Sequence, residues 1–239
     1  MKALAVAALA VVLGGASAPR INVYAAASLT EVFPRIDARP HYSFAGSDQL
    51  ATQIRQGAPA DVFAAASPKQ PELLYQDGIV RRPYPFATNR LVVIVPRGNP
   101  ARIRSVYDVR RKGVRVVIGD KSVPIGAYTR QLLDNLGISA AVLRNVVSEE
   151  ADVKGIVAKV ALGEADAGFV YRTDVRPART RVRSIGVPAW PQPPIRYELA
   201  VVRSSRHLSA ARAFVHRVLS VRGRRALLAA GFGLPPRRR

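Results

Sequence analysis

Residues 21–33 read INVYAAASLTEVF, and this stretch shows a strand-to-helix pattern that recurs along the chain. Its first six residues are mostly apolar and predict a β-strand over residues 21–26. A helix is expected to begin at Ser28, directly after the strand. Ser28 and Glu31 have the spacing of a capping box, so Ser28 is either a structural helix cap or a donor at an exposed helix start. The segment predicts a strand that passes directly into a helix, as in α/β folds.

The alternation of strand and helix continues along the chain. Short apolar runs predict further strands at residues 41–44, 61–65, 91–95, 114–118, 167–171 and 197–202. Amphipathic stretches predict helices at residues 47–56, 71–77, 125–136 and 153–162, and terminal helices within residues 210–230. Pro34 is expected to interrupt the first helix after barely one turn, because proline cannot continue the hydrogen-bond ladder. These spacings predict an α/β fold with largely parallel sheets.

The composition excludes several kinds of site. The chain has 239 residues, of which 49% are hydrophobic, and this suits one large domain or two lobes of about 100 residues each. It contains no cysteine, which excludes disulfides, zinc–thiolate sites, iron–sulfur clusters and thiol nucleophiles. The histidines, His41, His207 and His216, show no metal-ligand spacing. An enzyme therefore lacks support, since there is also no carboxylate pair at a plausible reacting centre.

The net charge of +21 raises the possibility of nucleic-acid binding. The arginines, however, are spread from Arg20 to Arg239 and form no basic motif interleaved with aromatic residues. A generally basic surface explains the charge better, and a positive field also helps to recruit an anion. We therefore expect no nucleic-acid partner.

The N-terminus has the features of an export signal. Lys2 supplies a positive charge, residues 3–13 are apolar, and residues 14–18 are small. The apolar run is shorter than the about 20 residues that span a bilayer. Residues 1–18 are expected to form a signal peptide, cut after Ala16 or Ala18, that sends the protein to the periplasm. An uncleaved membrane anchor is the alternative.

Four segments place small or hydroxyl residues at the start of a predicted helix. They are AAASLT around Ser28, AGSD around Ser47, VPIG around Ile125 and EADV around Val153. Helix starts present unpaired N–H groups and the positive end of the helix dipole, so each is a potential anion site. Tyr171, at the end of a predicted strand, can donate a phenolic O–H. Each has a structural alternative: Ser47 can cap its own helix, and Tyr171 can be a half-buried strand tyrosine.

At these residues the chain resembles the bacterial molybdate-binding proteins. The resemblance runs from about Ile21 to Phe232. It is carried, in order, by INVYAAASLTEVF, FAGSDQLATQIRQGAPADVFAAAS, FATNRLVVIVPRGNP, GDKSVPIGAYTRQLL and EEADVKGIVAKVALGEADAGFVYRTD. It implies a type II periplasmic-binding-protein fold, with two α/β lobes, hinge strands between them and a ligand cleft. Residues 19–87 and 198–239 would form the first lobe, and residues 88–197 the second.

The resemblance also implies a function and a set of ligand contacts. The protein would capture molybdate, or tungstate, and deliver it as a monomer to a membrane permease with its cytoplasmic ATPase. It would need no cofactor, and molybdenum would be bound only as the oxyanion. A binding protein for sulfate or another tetrahedral oxyanion is the alternative. The implied contacts are the hydroxyls of Ser28, Ser47 and Tyr171 and the backbone N–H groups of Ile125 and Val153.

Two observations qualify this implied site. Family members commonly have alanine or another small residue where Ile125 stands, so the larger side chain is expected to alter the shape of the pocket. Asp48 and Asp152 lie next to proposed donors, where a carboxylate would repel a dianion but would suit a protonated phosphate. We expect both to be solvated acids at helix starts, where the helix dipole favours negative charge.

Overall fold

The computed structural model describes residues 19–236, and its strands form two five-stranded sheets. The strands are β1 (Asn22–Ala26), β2 (His41–Ala45), β3 (Val62–Ala65), β4 (Tyr84–Thr88), β5 (Leu91–Pro96), β6 (Val116–Gly119), β7 (Val146–Glu150), β8 (Ala167–Tyr171), β9 (Val182–Ile185) and β10 (Arg196–Val201). The helices are α1 (Phe33–Ile36), α2 (Ser47–Arg55), α3 (Lys69–Gln76), α4 (Pro124–Asn135), α5 (Ser139–Leu143), α6 (Val153–Leu162), α7 (Arg172–Ala178), α8 (Leu208–Leu219) and α9 (Val221–Ala229). The expected signal peptide, residues 1–18, lies outside the described residues.

Each sheet belongs to one α/β lobe. The first sheet has the strand order β2-β1-β3-β10-β4, and the second has the order β7-β6-β8-β5-β9. The chain therefore crosses from the first lobe to the second after β4 and returns before β10. Among residues 19–236, no helix is long and apolar enough to cross a membrane.

The expectation of largely parallel sheets is wrong. Of the strand pairings among the described residues, four are parallel and four are antiparallel. The antiparallel pairings all involve β5 or β10, the strands that follow the crossings between the lobes. The parallel strands of each sheet run toward the cleft between the lobes. A strand that enters a lobe from the cleft side, as β5 and β10 do, therefore runs in the opposite direction to its neighbours. Local sequence patterns cannot show this direction.

The central strands are buried along their whole length. All residues of β3, β6 and β8 are buried, which is why these strands appear in the sequence as short continuous runs of apolar and small residues. Gly168 in β8 allows α6 to approach closely, since a Cβ there would lie 2.7 Å from a methyl carbon of Ile156. This contact fixes α6 against the second sheet.

The core is continuous across the two lobes. One cluster of buried side chains includes residues of both sheets, and a smaller one packs α2 and α3 against the first sheet. Aromatic rings join the lobes at the crossing strands. The Tyr197 ring of β10 contacts Tyr171 of β8 at 5.8 Å and Phe232 at 5.4 Å between ring centroids. The lobes are thus packed together behind the cleft.

The expectation that Pro34 interrupts the first helix is wrong, because this proline lies in the opening turn of a new helix, where proline is tolerated. Residues Ala27–Leu29 form a 3₁₀ turn, and α1 is a separate helix of four residues with Pro34 in its first turn. The prediction of an α-helix from Ser28 is therefore wrong. The chain forms a 3₁₀ turn at this position, which ends before a full α-helical turn has formed. Ser28 still lies directly after β1.

Candidate functional site

The residues predicted to bind the ligand line one small cleft between the lobes. Ser28 and Ser47 approach it from the first lobe, and Ile125, Val153 and Tyr171 approach it from the second. The cleft lies beyond the carboxyl ends of parallel strands in both sheets, where α/β folds commonly bind ligands. Its volume is about 20 Å³, which is close to the space that one water molecule needs. The opposing walls are therefore almost in contact.

Ser28 does not cap a helix. The residue before the 3₁₀ turn is Ala26, and no side chain caps that turn. The Ser28 side chain instead forms a buried hydrogen bond with the hydroxyl of Tyr197, with 2.9 Å between the oxygens. The capping-box interpretation is therefore wrong, and the hydroxyl of Ser28 is held inside the cleft by a tyrosine from a crossing strand.

Ser47 is the first residue of α2, and its side chain is turned away from its own helix. Its Oγ accepts a hydrogen bond of 3.1 Å from the backbone N–H of Ala66, and no side chain caps α2. Because that contact uses Oγ only as an acceptor, the hydroxyl proton is available to a ligand. Gly46 precedes it, and a Cβ there would lie 2.5 Å from the carbonyl oxygen of Ala151 in the other lobe.

Ile125 lies in the first turn of α4. Pro124, the first residue of that helix, has no N–H group, so the N–H of Ile125 is the first donor that the helix start presents. The Ile125 side chain is buried, and its Cγ2 lies 2.7 Å from where a Cβ on Gly119 would stand. The absence of a side chain at Gly119 makes room for this methyl group.

Val153 begins α6, and Asp152 caps this helix. The Asp152 carboxylate accepts hydrogen bonds from the N–H groups of Lys154, at 2.7 Å, and Gly155, at 3.1 Å. The N–H of Val153, in the first turn of α6, does not take part in this cap. Asp152 is therefore an acid at a helix start, as expected, but its carboxylate is engaged as the structural cap of α6 and is not freely solvated.

Tyr171 presents a donor that the protein itself does not satisfy. Its side chain is 2% exposed, and within the described residues its hydroxyl has no hydrogen-bond partner. Burial raises the pKa of Tyr171 well above its usual value, with Tyr197, Tyr128 and Asp174 acting in the same direction. The phenol therefore stays protonated. A buried, unpaired O–H that lines a cleft is suited to an anionic acceptor, since leaving it unpaired costs free energy.

Asp48 contacts the opposite lobe and does not line the cleft. Its Oδ2 lies 3.2 Å from the hydroxyl oxygen of Ser122, and Oδ1 of Asp120 lies 2.7 Å from the same oxygen. The single hydroxyl proton of Ser122 is shared between these two carboxylates. Asp48 is an acid at a helix start, as expected, but it is half-buried and not freely solvated. Among the described residues that line the cleft, the capping Asp152 is the one that carries a carboxylate.

The sequence patterns did not single out a polar network behind Ser28. The side-chain amide of Asn89, between β4 and β5, donates to Thr173 at 3.0 Å and to the Tyr197 hydroxyl at 3.4 Å. With the Ser28–Tyr197 bond, these contacts form a chain from the cleft through the crossing strands to α7. Asn89 lies in the sequence FATNRLVV. The residues around it give no sign of its contact with Tyr197, because that tyrosine is 108 residues away in the chain.

A buried carboxylate lies beside the cleft, at Asp174. Burial raises its pKa from 3.8 to about 7, while Lys154 acts in the opposite direction. The ammonium of Lys154 lies 3.6 Å from Asp174 and 4.0 Å from Glu31 of the first lobe. Among residues 19–236, no group of three or more His, Cys, Asp or Glu side chains is arranged to hold a metal ion.

Two α/β lobes that enclose a cleft lined by helix starts and neutral hydroxyls define a two-lobed binding protein. Comparison with known proteins supports this class. A family model described as bacterial extracellular solute-binding protein matches residues 21–233. The molybdate-binding protein ModA of Mycobacterium tuberculosis is 39% identical over 225 residues, which cover 90% of this chain and 85% of that protein. The chain therefore belongs to the bacterial extracellular solute-binding proteins.

Solved structures share the fold. The periplasmic molybdate-binding protein of Azotobacter vinelandii is 22% identical and superposes with a TM-score of 0.79, covering 91% of this chain and all of that chain. The sulfate-binding protein SubI of Mycobacterium tuberculosis is 21% identical, with a TM-score of 0.72, and the match covers 89% of this chain and 86% of that chain. At these identities the two structures establish the two-lobed fold and not the ligand.

Proposed function

We propose that this protein captures molybdate in the cleft between its lobes, and tungstate in the same way, as the binding component of an ABC transporter. The observation that carries the proposal is the convergence of five neutral donors, one of which, the Tyr171 hydroxyl, has no partner among the described residues. The Mycobacterium tuberculosis relative, named a molybdate-binding protein, supports the choice of ion.

The donors act from both lobes. The hydroxyls of Ser28 and Ser47 bind oxygen atoms of the ion from the first lobe. The N–H groups of Ile125 and Val153 and the hydroxyl of Tyr171 bind them from the second. A hydrogen bond to a charged group contributes roughly 1.5–3 kcal/mol, so five of them bind a dianion strongly without a salt bridge. The first lobe, residues 19–87 with 198–239, and the second, residues 88–197, meet within the crossing strands β4 and β10 and close around the ion.

The same chemistry disfavours phosphate, which keeps a proton near neutral pH and needs an acceptor. Asp152 is engaged by its own helix start, and Asp48 does not line the cleft. Sulfate, or another tetrahedral oxyanion without a proton, is the second candidate, because the same donors suit it. The sulfate-binding structure supports the shared fold alone, whereas the 39% identical relative favours molybdate.

We further propose the cellular setting. Residues 1–18 direct export to the periplasm, either as a cleaved signal or as an anchor. The monomeric protein then passes its ion to a membrane permease with a cytoplasmic ATPase. It needs no cofactor, binds no nucleic acid and carries out no reaction on the ion. Molybdenum is held only as its oxyanion.

Calorimetric titration with molybdate, tungstate, sulfate and phosphate, side by side, tests the proposal. We expect molybdate and tungstate to bind with one ion per protein and similar affinity, because the ions have nearly the same size and charge. Sulfate and phosphate should bind much more weakly. Tighter binding of sulfate than of molybdate would select the second candidate, and no binding of any of these ions would reject an oxyanion cleft.

A further inference from the structure

A second, larger cavity lies beside the cleft and is lined by arginines from both lobes. It has a volume of about 190 Å³, against about 20 Å³ for the cleft, and the two share Ser28. Arg35 of α1 lines it from the first lobe, and Arg176 and Arg179 line it from α7 and the residue after it in the second. Phe232 contributes an apolar part of the wall. The cavity is large enough for a tetrahedral ion with its hydration water.

The arginines of this cavity have no carboxylate partner among residues 19–236. None of Arg35, Arg176 and Arg179 takes part in the ion pairs that the described residues form. Glu31 also lines the cavity, and its carboxylate lies 4.0 Å from Lys154. Three guanidinium groups against one carboxylate leave a surplus of two positive charges. The surplus lies in the second lobe, at Arg176 and Arg179, because Glu31 offsets Arg35 in the first lobe, and this surplus attracts an anion into the cavity.

One of the arginines is held in place across the lobes. Nη1 of Arg176 donates a hydrogen bond of 2.9 Å to the carbonyl oxygen of Ala229, at the end of α9. A guanidinium has five N–H donors, so this contact leaves most of them for a ligand. The fork of remaining donors matches the oxygen atoms of a tetrahedral oxyanion. The anchored group is partly preorganised for such an ion.

We propose that this cavity binds a second small oxyanion, of the sulfate or phosphate class, through Arg35, Arg176 and Arg179. The bound anion bridges the lobes, because it contacts Arg35 on one side and Arg176 and Arg179 on the other, and so stabilises the closed form. It therefore slows the release of the ion held in the cleft. The two sites differ in chemistry, because exposed guanidinium groups bind in a salt-dependent way and the neutral donors of the cleft do not.

Equilibrium dialysis of radiolabelled sulfate against protein saturated with molybdate tests this second site, because the cleft is then filled. Sodium chloride keeps the ionic strength constant. We expect one sulfate per protein, with binding weakened by about tenfold in Arg35→Gln and in Arg179→Gln, neither of which removes the Arg176 anchor. The matched control is Arg104→Gln, at an exposed arginine of the second lobe outside the cavity lining, which lowers the net charge by one as each test variant does. Sulfate binding that is absent, or that falls equally in the control, would overturn the proposal.

The rate of molybdate release provides a second readout. Loaded protein is mixed with tungstate, in a medium where sulfate or chloride is in large excess over tungstate, and the molybdenum that remains bound is measured after rapid filtration. Competition at the emptied cleft cannot slow this release, so slower release in sulfate reports on the second site. We expect sulfate to slow release in the wild type and not in Arg179→Gln; equal rates in sulfate and chloride would reject the coupling. If molybdate does not bind, calorimetry shows that the proposed function fails. The loss of sulfate binding in the arginine variants still tests the second site independently of that result.

Discussion

The hydroxyls of Ser28 and Tyr197 lie 2.9 Å apart, and this contact joins the cleft to the strand that returns from the second lobe. Tyr197 also receives a hydrogen bond from Asn89, which stands where the chain first leaves the first lobe. Ser28, which is proposed to bind the ion, is thus linked by hydrogen bonds to both segments that connect the lobes, through Tyr197 and then Asn89. Because a single proton lies between the two hydroxyls, the bond that Ser28 makes to a ligand depends on Tyr197.

This relationship predicts a coupling between the two residues. Tyr197→Phe removes the hydroxyl and keeps the ring contacts, so molybdate affinity should fall although Tyr197 does not line the cleft. Ser28→Ala should weaken binding by about 1–3 kcal/mol. In a double-mutant cycle the two losses should not add, with an interaction of about 0.5–1.5 kcal/mol measured by calorimetry. Strict additivity would show that Tyr197 does not position Ser28.

Ser47→Ala removes a donor without removing a helix cap. Molybdate affinity should fall by about 1–3 kcal/mol, because a charged acceptor loses a hydrogen bond in a nearly dry cleft. The control is Ser204→Ala, at an exposed serine of the same lobe. Unchanged affinity in a folded Ser47→Ala variant, judged by circular dichroism, would remove Ser47 from the site.

Tyr171→Phe should separate binding from stability. The hydroxyl has no partner among the described residues, so its removal should leave the ligand-free protein as stable as before or slightly more stable. Molybdate affinity should nevertheless fall, and the loss should persist up to about 0.5 M sodium chloride, where screening acts within a few ångströms. Tyr84→Phe, at a tyrosine that is 48% exposed, is the control. Stopped-flow dissociation that rises steeply with salt, together with unchanged affinity in Tyr171→Phe, would indicate an arginine-lined site instead.

Gly46→Ala should hinder closure of the lobes. A Cβ at this position would lie 2.5 Å from the backbone oxygen of Ala151, which cannot move as a flexible side chain can. We expect molybdate affinity to fall by about 1–3 kcal/mol, the usual cost of overpacking, although no donor is lost. Small-angle scattering should show compaction of the wild type by molybdate and less compaction of the variant. Gly98→Ala, where a Cβ has open space, should behave as the wild type; equal compaction of all three proteins would contradict this role of Gly46.

The buried carboxylate of Asp174 predicts a dependence of stability on pH. Its pKa is raised by burial from 3.8 to about 7, so between these values the folded protein holds a proton that the unfolded chain releases. Its contribution to stability therefore declines as pH rises from about 4 to about 7 and is constant above that range. Asp174→Asn stays neutral, so its free energy of unfolding should rise relative to the wild type over this window. Urea unfolding at several pH values measures the difference, with exposed Asp134→Asn as a control that should show no such trend.

Much of the fold and of the candidate site could be predicted from the sequence because the signals are local. A short apolar run followed by a small or hydroxyl residue marks the end of a strand and the start of a helix, and Ser47, Ile125 and Val153 all lie in first helical turns. Strands β4, β7 and β9 were missed, since β7 and β9 are only partly buried and lack a continuous apolar run. The capping-box interpretation of Ser28 failed because its tyrosine partner is 169 residues away.

The sequence by itself determined the α/β class, the family resemblance and the residues that carry neutral donors, because these depend on side-chain chemistry and short-range periodicity. Only the tertiary structure decided which donors share a cleft, that the Tyr171 hydroxyl has no partner among the described residues, and that Asp152 caps its own helix. It also decided the direction of the strands that follow the crossings, β5 and β10. These features arise from contacts between residues that are far apart in the chain, and the packing of the two lobes brings those residues together.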